Sequence, residues 1–277
     1  MAASGNDFIV LEFASSRVRE FGELAKKICN RKYGIGADGL LVLGKSKVAD
    51  VKMRIFNADG SEAEMCGNGA RCVALWVAEN REPRTENLTI ETKAGIIRAQ
   101  VKAGSVKIRL TDPKNIKLDI PLEINRRRLK VNFINTGVPH AVIFAEGLNK
   151  INVGDIGRAL RNHYYFSPAG TNVNFIEPVD DNSFKIRTYE RGVEDETLAC
   201  GTGSTASAII FALKTASMGK INPSTTLRID TERSECINVH TKSGEILSVS
   251  FVRDGNKFKD VWLEGKARIV FEGQYNL

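Results

Sequence analysis

The segment MCGNG, at residues 65–69, decides how this chain is interpreted, because it recurs in altered form as ACGTG at residues 199–203. In each copy a cysteine precedes two glycines, and a run of apolar or small residues follows: ARCVALWVAEN at 70–80 and STASAIIFALK at 204–214. A helix that lacks a broad polar face must be buried on most sides. The sequence therefore predicts two central helices, each beginning beside a cysteine.

Two further pairs of similar segments occur in the same order along the chain. Residues 5–8 loosely match residues 137–140, and RIFN at 54–57 matches RTYE at 187–190. The offsets are 132 (137 minus 5), 133 (187 minus 54) and 134 (200 minus 66). Three matches at nearly one offset indicate a duplication. We expect two halves of like fold, with a boundary near residues 112–126.

Short alternating segments outnumber helical ones, which favours an α+β class over a doubly wound parallel sheet. One amphipathic helix is predicted over residues 16–29. We expect two pseudo-symmetric lobes, each a curled, mostly antiparallel sheet wrapped around its central apolar helix. The predicted strands are 41–43, 51–57, 88–92, 96–101, 106–110, one beginning at Leu129, 141–144, 172–176, 184–189, 227–230, 237–240, 246–251 and one or two within 261–271.

The expected lobes are discontinuous in sequence. The N-terminal lobe comprises residues 1–112 with 263–277 and carries Cys66, whereas the C-terminal lobe comprises residues 113–262 and carries Cys200. The active site is expected in the cleft between the two lobes.

Composition excludes several classes of protein. With 277 residues and 42% hydrophobic content, the chain can form a full core. No apolar run approaches the roughly 20 residues that cross a bilayer, and the N-terminus MAASGNDFIV does not resemble a signal peptide. We therefore expect a cytoplasmic protein without a membrane partner.

The five cysteines are odd in number and show neither a disulfide framework nor the spacing of metal ligands. We expect thiols in a reducing compartment and no metal site. Three of these residues, Cys29, Cys72 and Cys236, are expected to be inert, buried hydrophobic side chains.

The net charge of +7 permits an anionic partner. A nucleic-acid or anion-binding module is therefore an alternative from a different functional class. Such a module would show clustered basic residues interleaved with aromatics, whereas here aromatics are 7% and basic residues are dispersed. No nucleic-acid partner is expected.

The two repeated cysteines stand where a thiol pKa is lowered, because the first amides of a helix favour an anion. Lowering a thiol pKa by two units takes about 2.7 kcal/mol. An exposed helix end supplies only about 0.3–1 kcal/mol, so direct N–H bonds or a polar neighbour must add the remainder. If one sulfur is a thiolate and the other a thiol, one removes a proton from a carbon and the other returns one to the opposite face. That chemistry is racemisation or epimerisation without a cofactor.

These residues also carry a family resemblance over nearly the whole chain. The sequence resembles diaminopimelate epimerases, and the two cysteine segments in this order are the most specific part of the match. The matching motifs are GNDF at 5–8, GIGADGLL at 34–41, FNADGSEAEMCGNGARC at 56–72, TGVPHAV at 136–142, GTNVNFIE at 170–177 and YERGVEDETLACGTGS at 189–204.

The resemblance implies interconversion of LL- and meso-diaminopimelate in lysine and cell-wall precursor synthesis, without pyridoxal phosphate or any other cofactor and without a metal. Cys66 and Cys200 would form the acid/base pair, and a homodimer is a possible assembly. The other implied roles are as follows: the backbone of Gly67, Asn68, Gly201 and Thr202 holds the carboxylate at the reacting centre; Asn57, Asn172 and Arg191 bind the distal carboxylate; Glu190 binds an ammonium; Asn6 lines the cleft; and His140 polarises a thiol.

Three departures from the family pattern concern substrate contacts and the first strand. Val138 replaces a frequent Asn, and Gly39 stands where some members have Gln. Only four residues precede Gly5, whereas members usually have a longer first strand, so an internal start at Met1 is an alternative. A racemase of the proline or hydroxyproline type, or an isomerase with one acid/base residue, remains the alternative enzyme. Residues 34–39 also fit the dinucleotide fingerprint, but they follow a helix and precede a strand, the reverse of the required order.

Overall fold

The fold is taken from a computed structural model that describes residues 1–12, 20–81, 85–124, 126–217 and 233–275. The chain divides into two compact units. The first contains Met1–Arg109 and Glu264–Leu277, and the second contains Leu110–Leu263. Within the described ranges, no helix is long and apolar enough to cross a membrane.

The first unit surrounds one buried helix with strands. The helix α2 (Gly67–Asn80) has no broad polar face, and Ala70, Cys72, Val73 and Ala74 along it are fully buried. The shorter helix α1 (Phe21–Ile28) packs Phe21, Leu24 and Ile28 into a separate cluster with Leu40 and Phe56. The elements are β1 (Ala2–Ala3), β2 (Asn6–Glu12), α1 (Phe21–Ile28), β3 (Gly39–Gly44), β4 (Val51–Asn57), β5 (Glu62–Ala63), α2 (Gly67–Asn80), β6 (Asn87–Thr92), β7 (Gly95–Lys102) and β8 (Ser105–Arg109).

The second unit has the same plan, with α4 (Gly201–Ser217) as its buried helix and α3 (Val153–Arg161) packed against a second cluster. Two short 3₁₀ turns, Leu148–Lys150 and Tyr164–Phe166, flank α3. The elements are β9 (Lys114–Ile124), β10 (Arg127–Asn135), β11 (Pro139–Phe144), α3 (Val153–Arg161), β12 (Asn172–Asp180), β13 (Ser183–Glu190), β14 (Asp195–Thr197), α4 (Gly201–Ser217), β15 (Arg233–His240), β16 (Ile246–Asp254) and β17 (Lys257–Lys266).

Strand pairing repeats between the units. In the first, β2 lies parallel to β3 and β4 parallel to β6, while the neighbouring pairs are antiparallel. In the second, β11 lies parallel to β12 and β13 parallel to β15. The cross-strand partners Leu41 and Ile55 correspond to Asn174 and Thr188. The predicted α+β class with mostly antiparallel sheets is confirmed.

The strand β17 begins in the second unit and ends in the first. Beyond it, Arg268 pairs with Ala2 through backbone hydrogen bonds of 2.9 and 3.0 Å. The guanidinium of Arg71 also donates to the carbonyl of Lys266 at 3.4 Å. The segment after Leu263 therefore contributes backbone pairing to the first unit.

Several local predictions differ from the structure in detail. The division between the units falls after Arg109, whereas residues 112–126, near which we expect the boundary, contain the unpredicted strand β9, where Ile116, Leu118, Ile120, Leu122 and Ile124 alternate. Of the one or two strands predicted within 261–271, the structure contains one, because β17 ends at Lys266 and residues 267–275 form no further strand. The helix α1 begins at Phe21, with Glu20 as its N-cap. Residues 16–19 of the predicted helix and the predicted strand 227–230 lie outside the described residues.

The prediction that all three remaining cysteines are buried was also wrong in one case. Cys29 and Cys72 are buried, but Cys236 is exposed. Side chains alternate along β15, so Ile237 and Val239 face the core while Cys236 and Asn238 face solvent.

Candidate active site

Cys66 lies at the N-terminus of α2. Its extended backbone (φ −140°, ψ 121°) makes it the N-cap, its sulfur accepts a hydrogen bond from the Gly69 amide at 3.5 Å, and its carbonyl accepts one from Ala70 at 2.8 Å. Gly67 and Asn68 form the first two positions of the helix, and the first turn carries no acidic side chain. A thiolate here receives a direct N–H bond and faces the positive end of the helix dipole.

Cys200 has the equivalent position before α4. Its carbonyl accepts a hydrogen bond from Ser204 at 2.8 Å, and its sulfur lies 3.5 Å from the hydroxyl oxygen of Thr202. The hydroxyl of Thr136 donates to the Thr202 carbonyl at 3.1 Å, which joins the segment 136–142 to this turn. Gly201 and Thr202 are the first two residues of α4. Cys200 itself is nearly buried, with 9% of its surface exposed.

Asn6 and Asn68 form one hydrogen-bonded cluster in the first unit. The amide of Asn68 donates to the Asn6 side-chain oxygen at 2.7 Å, while Arg71 donates to the Asn68 oxygen and to the Ser4 hydroxyl, each at 2.6 Å. Arg71 is fully buried. The cluster fixes the side chain of Asn68, two residues after Cys66.

An acidic pair anchors this cluster, and sequence reasoning missed it. The Asn6 amide donates to Asp38 at 2.9 Å, and Arg31 contacts both Asp7 and Asp38 at 2.7–2.9 Å. The Arg31 hydrogen bonds hold the pKa of Asp7 below its usual value. The contacts connect residues 5–8 to residues 34–41, which explains how two distant motifs belong to one arrangement.

Asn57 lies at the end of β4 and is exposed. Its side-chain amide donates to the hydroxyl of Ser61 at 2.9 Å, and its backbone N–H donates to the Ser61 carbonyl at 2.8 Å. These bonds define the turn before β5. The structure thus does not connect Asn57 to the cluster of Asn6 and Asn68 through any described hydrogen bond.

Asn172 holds two backbone segments of the second unit. Its side-chain amide nitrogen donates to the Pro139 carbonyl at 3.0 Å, and its side-chain oxygen accepts a hydrogen bond from the backbone N–H of Arg191 at 2.8 Å. The Arg191 guanidinium donates to the Ala169 carbonyl at 3.0 Å. Asn172 is buried, so in this structure its contacts position Pro139, His140 and Arg191.

Two ionisable groups of the second unit are shifted towards their neutral forms. Burial raises the pKa of the Glu190 carboxyl, and the Thr197 hydroxyl opposes that shift. Burial, together with the charge of Arg191, lowers the pKa of His140 to about 3. His140 is therefore a neutral imidazole at physiological pH, able to donate from one ring nitrogen and accept at the other.

The departures at Val138 and Gly39 have local structural correlates. The Val138 carbonyl accepts the backbone N–H of Thr136 at 3.2 Å, so the turn is closed by backbone atoms. A Cβ at Gly39 would lie 2.9 Å from the Phe56 carbonyl oxygen, so a longer side chain there requires the backbone to shift.

The glycines of residues 34–39 also have a structural explanation. A Cβ at Gly34 would lie 2.4 Å from the Lys27 carbonyl oxygen, and Gly36 has a φ of +84°. These glycines lie in the connection between α1 and β3. They leave space for the backbone, which is a structural role that does not involve a dinucleotide.

A repeated Arg–Glu–Lys cluster supports the hairpin before each cysteine, and it was not foreseen. Arg54 donates two hydrogen bonds to Glu62, and Lys93 lies 3.5 Å from the same carboxylate. In the second unit Arg187, Glu196 and Lys242 repeat these contacts. Each glutamate stands four residues before its cysteine. The two arginines could have been identified as equivalent, because they lie in the matched segments 54–57 and 187–190. The glutamates and lysines that they meet lie outside those segments.

No three of the His, Cys, Asp and Glu side chains in the described ranges converge in a way that could hold a metal ion. His163 accepts a hydrogen bond from the Tyr165 amide, and His240 lies in β15. Neither histidine contacts the clusters around the two cysteines through a described hydrogen bond.

Solved structures define the class of fold. A Bacillus anthracis protein of the PhzF family of phenazine biosynthesis proteins matches with a TM-score of 0.65 at 21% identity, over 96% of this chain and 92% of its own. A hydroxyproline epimerase from Agrobacterium vitis, with trans-4-hydroxy-L-proline bound, matches with a TM-score of 0.65 at 16% identity, over 96% and 86%. The chain thus has the duplicated α+β fold that these proteins share.

Sequence similarity then identifies the family. The model of the diaminopimelate epimerase family matches residues 1–116 and 132–270. A diaminopimelate epimerase of Aquifex aeolicus is 41% identical over 99% of this chain and 95% of its own length. The chain belongs to the diaminopimelate epimerase family and is an isomerase of the epimerase class.

Proposed function

We propose that this protein interconverts LL- and meso-diaminopimelate by a two-base mechanism in which Cys66 and Cys200 act on opposite faces of one α-carbon. The single observation that carries the proposal is the equivalent position of the two sulfurs, each directly before a buried helix whose first turn offers amide N–H groups. Family membership supports the substrate.

In the first step, a thiolate removes the α-proton and becomes a thiol. The electron pair left on the carbon delocalises into the adjacent carboxylate. The thiol of the other cysteine then gives its proton to the opposite face of the carbon and becomes a thiolate. One proton is taken and one is returned, so the substrate changes only in configuration, and the reverse direction exchanges the two roles.

The substrate carboxylate at the reacting carbon would bind the first amides of the two helices, at Gly67, Asn68, Gly201 and Thr202. Such helix N-termini are suited to an anion. The distal end would use the guanidinium of Arg191 for its carboxylate and the partly buried Glu190 for its ammonium. A bound ammonium next to Glu190 would also stabilise the ionised form of that carboxyl. Asn57 and Asn172 would complete the distal site.

We further propose that the reaction needs no cofactor, that it serves lysine and cell-wall precursor synthesis in the cytoplasm, and that the lobes carrying the two cysteines form the site jointly. Exclusion of water when substrate binds would strengthen the thiolate as a base.

The test is incorporation of deuterium at the α-carbon in D₂O. LL- and meso-diaminopimelate should each gain deuterium and convert to the other isomer, while proline and trans-4-hydroxyproline should remain unlabelled. Exchange of proline or hydroxyproline with no exchange of diaminopimelate would favour the racemase alternative and exclude the proposed substrate.

A further inference from the structure

The two units differ in the layer beneath the helix that follows each cysteine. In the first unit this layer contains Phe8, Leu41 and Ile55, all buried and apolar. Strand register places polar residues at the equivalent positions of the second unit: His140, Asn174 and Thr188. All three are buried. Burying polar side chains lowers the stability of the folded protein unless they are hydrogen-bonded to one another. Because these polar residues occur in the second unit and not in the first, we infer that they have a role there.

Asn174 connects the members of this chain, and its orientation is fixed. Its amide nitrogen lies 3.1 Å from the Ala141 carbonyl oxygen, which can only accept a hydrogen bond. The Asn174 oxygen accepts from the Thr188 hydroxyl at 3.0 Å. The second amide proton therefore points to the Nδ1 atom of His140, 3.1 Å from the amide nitrogen.

This contact determines the tautomer of His140. Because Nδ1 accepts a hydrogen bond from Asn174, the proton of the neutral ring must be on Nε2. The Nε2 atom is buried and has no hydrogen-bond partner among the described residues. An unpaired buried donor is unfavourable, and it is a feature expected where an anion is to be bound.

Asn174 also lies against the helix that Cys200 caps. A Cβ at Gly203, in the first turn of α4, would be 2.4 Å from the Asn174 oxygen. The side chain that orients His140 is therefore packed on the turn that presents Cys200. Because burial and the charge of Arg191 lower the pKa of His140, its imidazole is neutral at physiological pH.

We propose that Asn174 is a positioning residue that holds His140 as the Nε2–H tautomer, so that the ring donates a hydrogen bond to an anion in the active site. The anion is a cysteine thiolate or the substrate carboxylate, and in either case His140 acts as a neutral donor and takes no proton. The role of the donor rests on the proposed function, whereas the tautomer does not.

The experiment is a two-bond ¹H–¹⁵N correlation spectrum of the intact protein with ¹⁵N-labelled histidine. The sequence has only three histidines, and the variants His163→Gln and His240→Gln assign the signals. At pH 7 the wild-type His140 should carry its proton on Nε2. A proton on Nδ1, or on both nitrogens, overturns the proposal whether or not the protein is active.

Two substitutions test the role of Asn174. In Asn174→Asp the carboxylate can only accept, so the proton should move to Nδ1. Asn174→Leu, which introduces the residue found at the equivalent Leu41, should remove the tautomer preference and lower kcat by about tenfold with KM within twofold. Asn174→Leu with kcat within twofold of wild type overturns the functional part.

Asn132→Leu is the matched control. Asn132 is buried in the same unit, but its side-chain hydrogen bonds to described residues all go to backbone atoms, of Val142 and Asp119. This variant should lose stability while retaining the His140 tautomer and kcat. Equal loss of kcat in the two leucine variants would mean that Asn174 is merely structural.

Addition of meso-diaminopimelate distinguishes the two anions. A change in the Nε2 signal only when this compound is present assigns the acceptor as the carboxylate. A change on raising the pH of the ligand-free protein, lost in a cysteine-to-alanine variant, assigns it as a thiolate. A signal that changes under neither condition overturns the donor role.

Discussion

Arg187 donates two hydrogen bonds to Glu196, from Nε at 2.7 Å and from Nη2 at 2.8 Å. Arg54 makes the same pair of contacts to Glu62, at 2.7 and 3.1 Å. The two ion pairs differ in burial, because the side chains are 19% and 13% exposed in the second unit but 39% and 21% in the first. One contact is therefore present twice, in environments that screen it differently.

The difference in burial predicts unequal stability effects. Glu196→Gln should lower the free energy of unfolding by about 1–2 kcal/mol, because it leaves a largely buried guanidinium poorly compensated. Glu62→Gln should cost less than about 1 kcal/mol, because solvent screens that pair. Urea denaturation measures both. Glu23→Gln, which removes the exposed pair with Lys26, is the control and should change stability least. An effect of Glu62→Gln above that of Glu196→Gln contradicts the ranking.

The two cysteine variants should each abolish epimerisation. In Cys66→Ala or Cys200→Ala, one face of the α-carbon lacks its acid or base, so conversion between isomers stops. The remaining cysteine still removes and returns a proton on its own face. Each variant should therefore exchange deuterium into one isomer and not the other, as NMR in D₂O will show. Turnover near the wild-type rate in either variant would refute the two-base mechanism.

Glycine at position 203 should tolerate no side chain. In Gly203→Ala the new Cβ lies 2.4 Å from the Asn174 oxygen, which is held by Thr188, so the helix or the asparagine must move. We expect a loss of about 1–3 kcal/mol and a lower kcat.

Gly69→Ala is the matched control at the equivalent position of the first unit. There the Cβ meets the end of the flexible Leu41 side chain at 3.0 Å. The gain in helix propensity, roughly 0.5–1 kcal/mol, offsets the small adjustment of Leu41. Thermal denaturation that shows equal destabilisation of the two variants would argue against the Asn174 contact.

Acid should destabilise the protein through His140. Its pKa is lowered from 6.5 to about 3, so below pH 6.5 the unfolded chain binds a proton that the folded protein does not. Stability conferred by the neutral ring is complete above that pH and falls by about 1.4 kcal/mol per unit as the pH decreases towards 3.

Urea denaturation between pH 5 and 6.5 measures this slope. His140→Phe, which places the equivalent residue Phe8 in the second unit, should have a lower slope, whereas His163→Phe should keep it. His140→Phe also loses the contact with Asn174, so its free energy of unfolding will fall at every pH. The test is therefore the change of that free energy with pH, which should be smaller than in the wild type. An unchanged slope in His140→Phe means that the ring already titrates normally.

The sequence predicted best the features that depend on neighbouring residues. The starts of α2 and α4 follow from a cysteine and two glycines ahead of an apolar run, and strands such as β4 follow from alternation. The strand β9 also alternates at Ile116, Leu118 and Ile120, but its many polar residues concealed the pattern.

Contacts between distant residues could not be predicted in this way. Arg31 meets Asp7 across 24 positions, and Lys242 meets Glu196 only because β13 and β15 pair. No local periodicity encodes such partners. The helix α3 is different: Val153, Ile156 and Leu160 have helical spacing, but the helix spans only nine residues, which is too short for a strong sequence signal.

The path of β17 has a consequence for how the protein is made. Ala2 in β1 pairs with Arg268, and Arg71 donates a hydrogen bond to the carbonyl of Lys266, so these contacts of the first unit can form only after residues 266–268 have been synthesised. The whole of the second unit, which ends at Leu263, precedes these residues in the chain. On the ribosome, the strand β1 therefore gains this pairing only after the complete second unit has been translated.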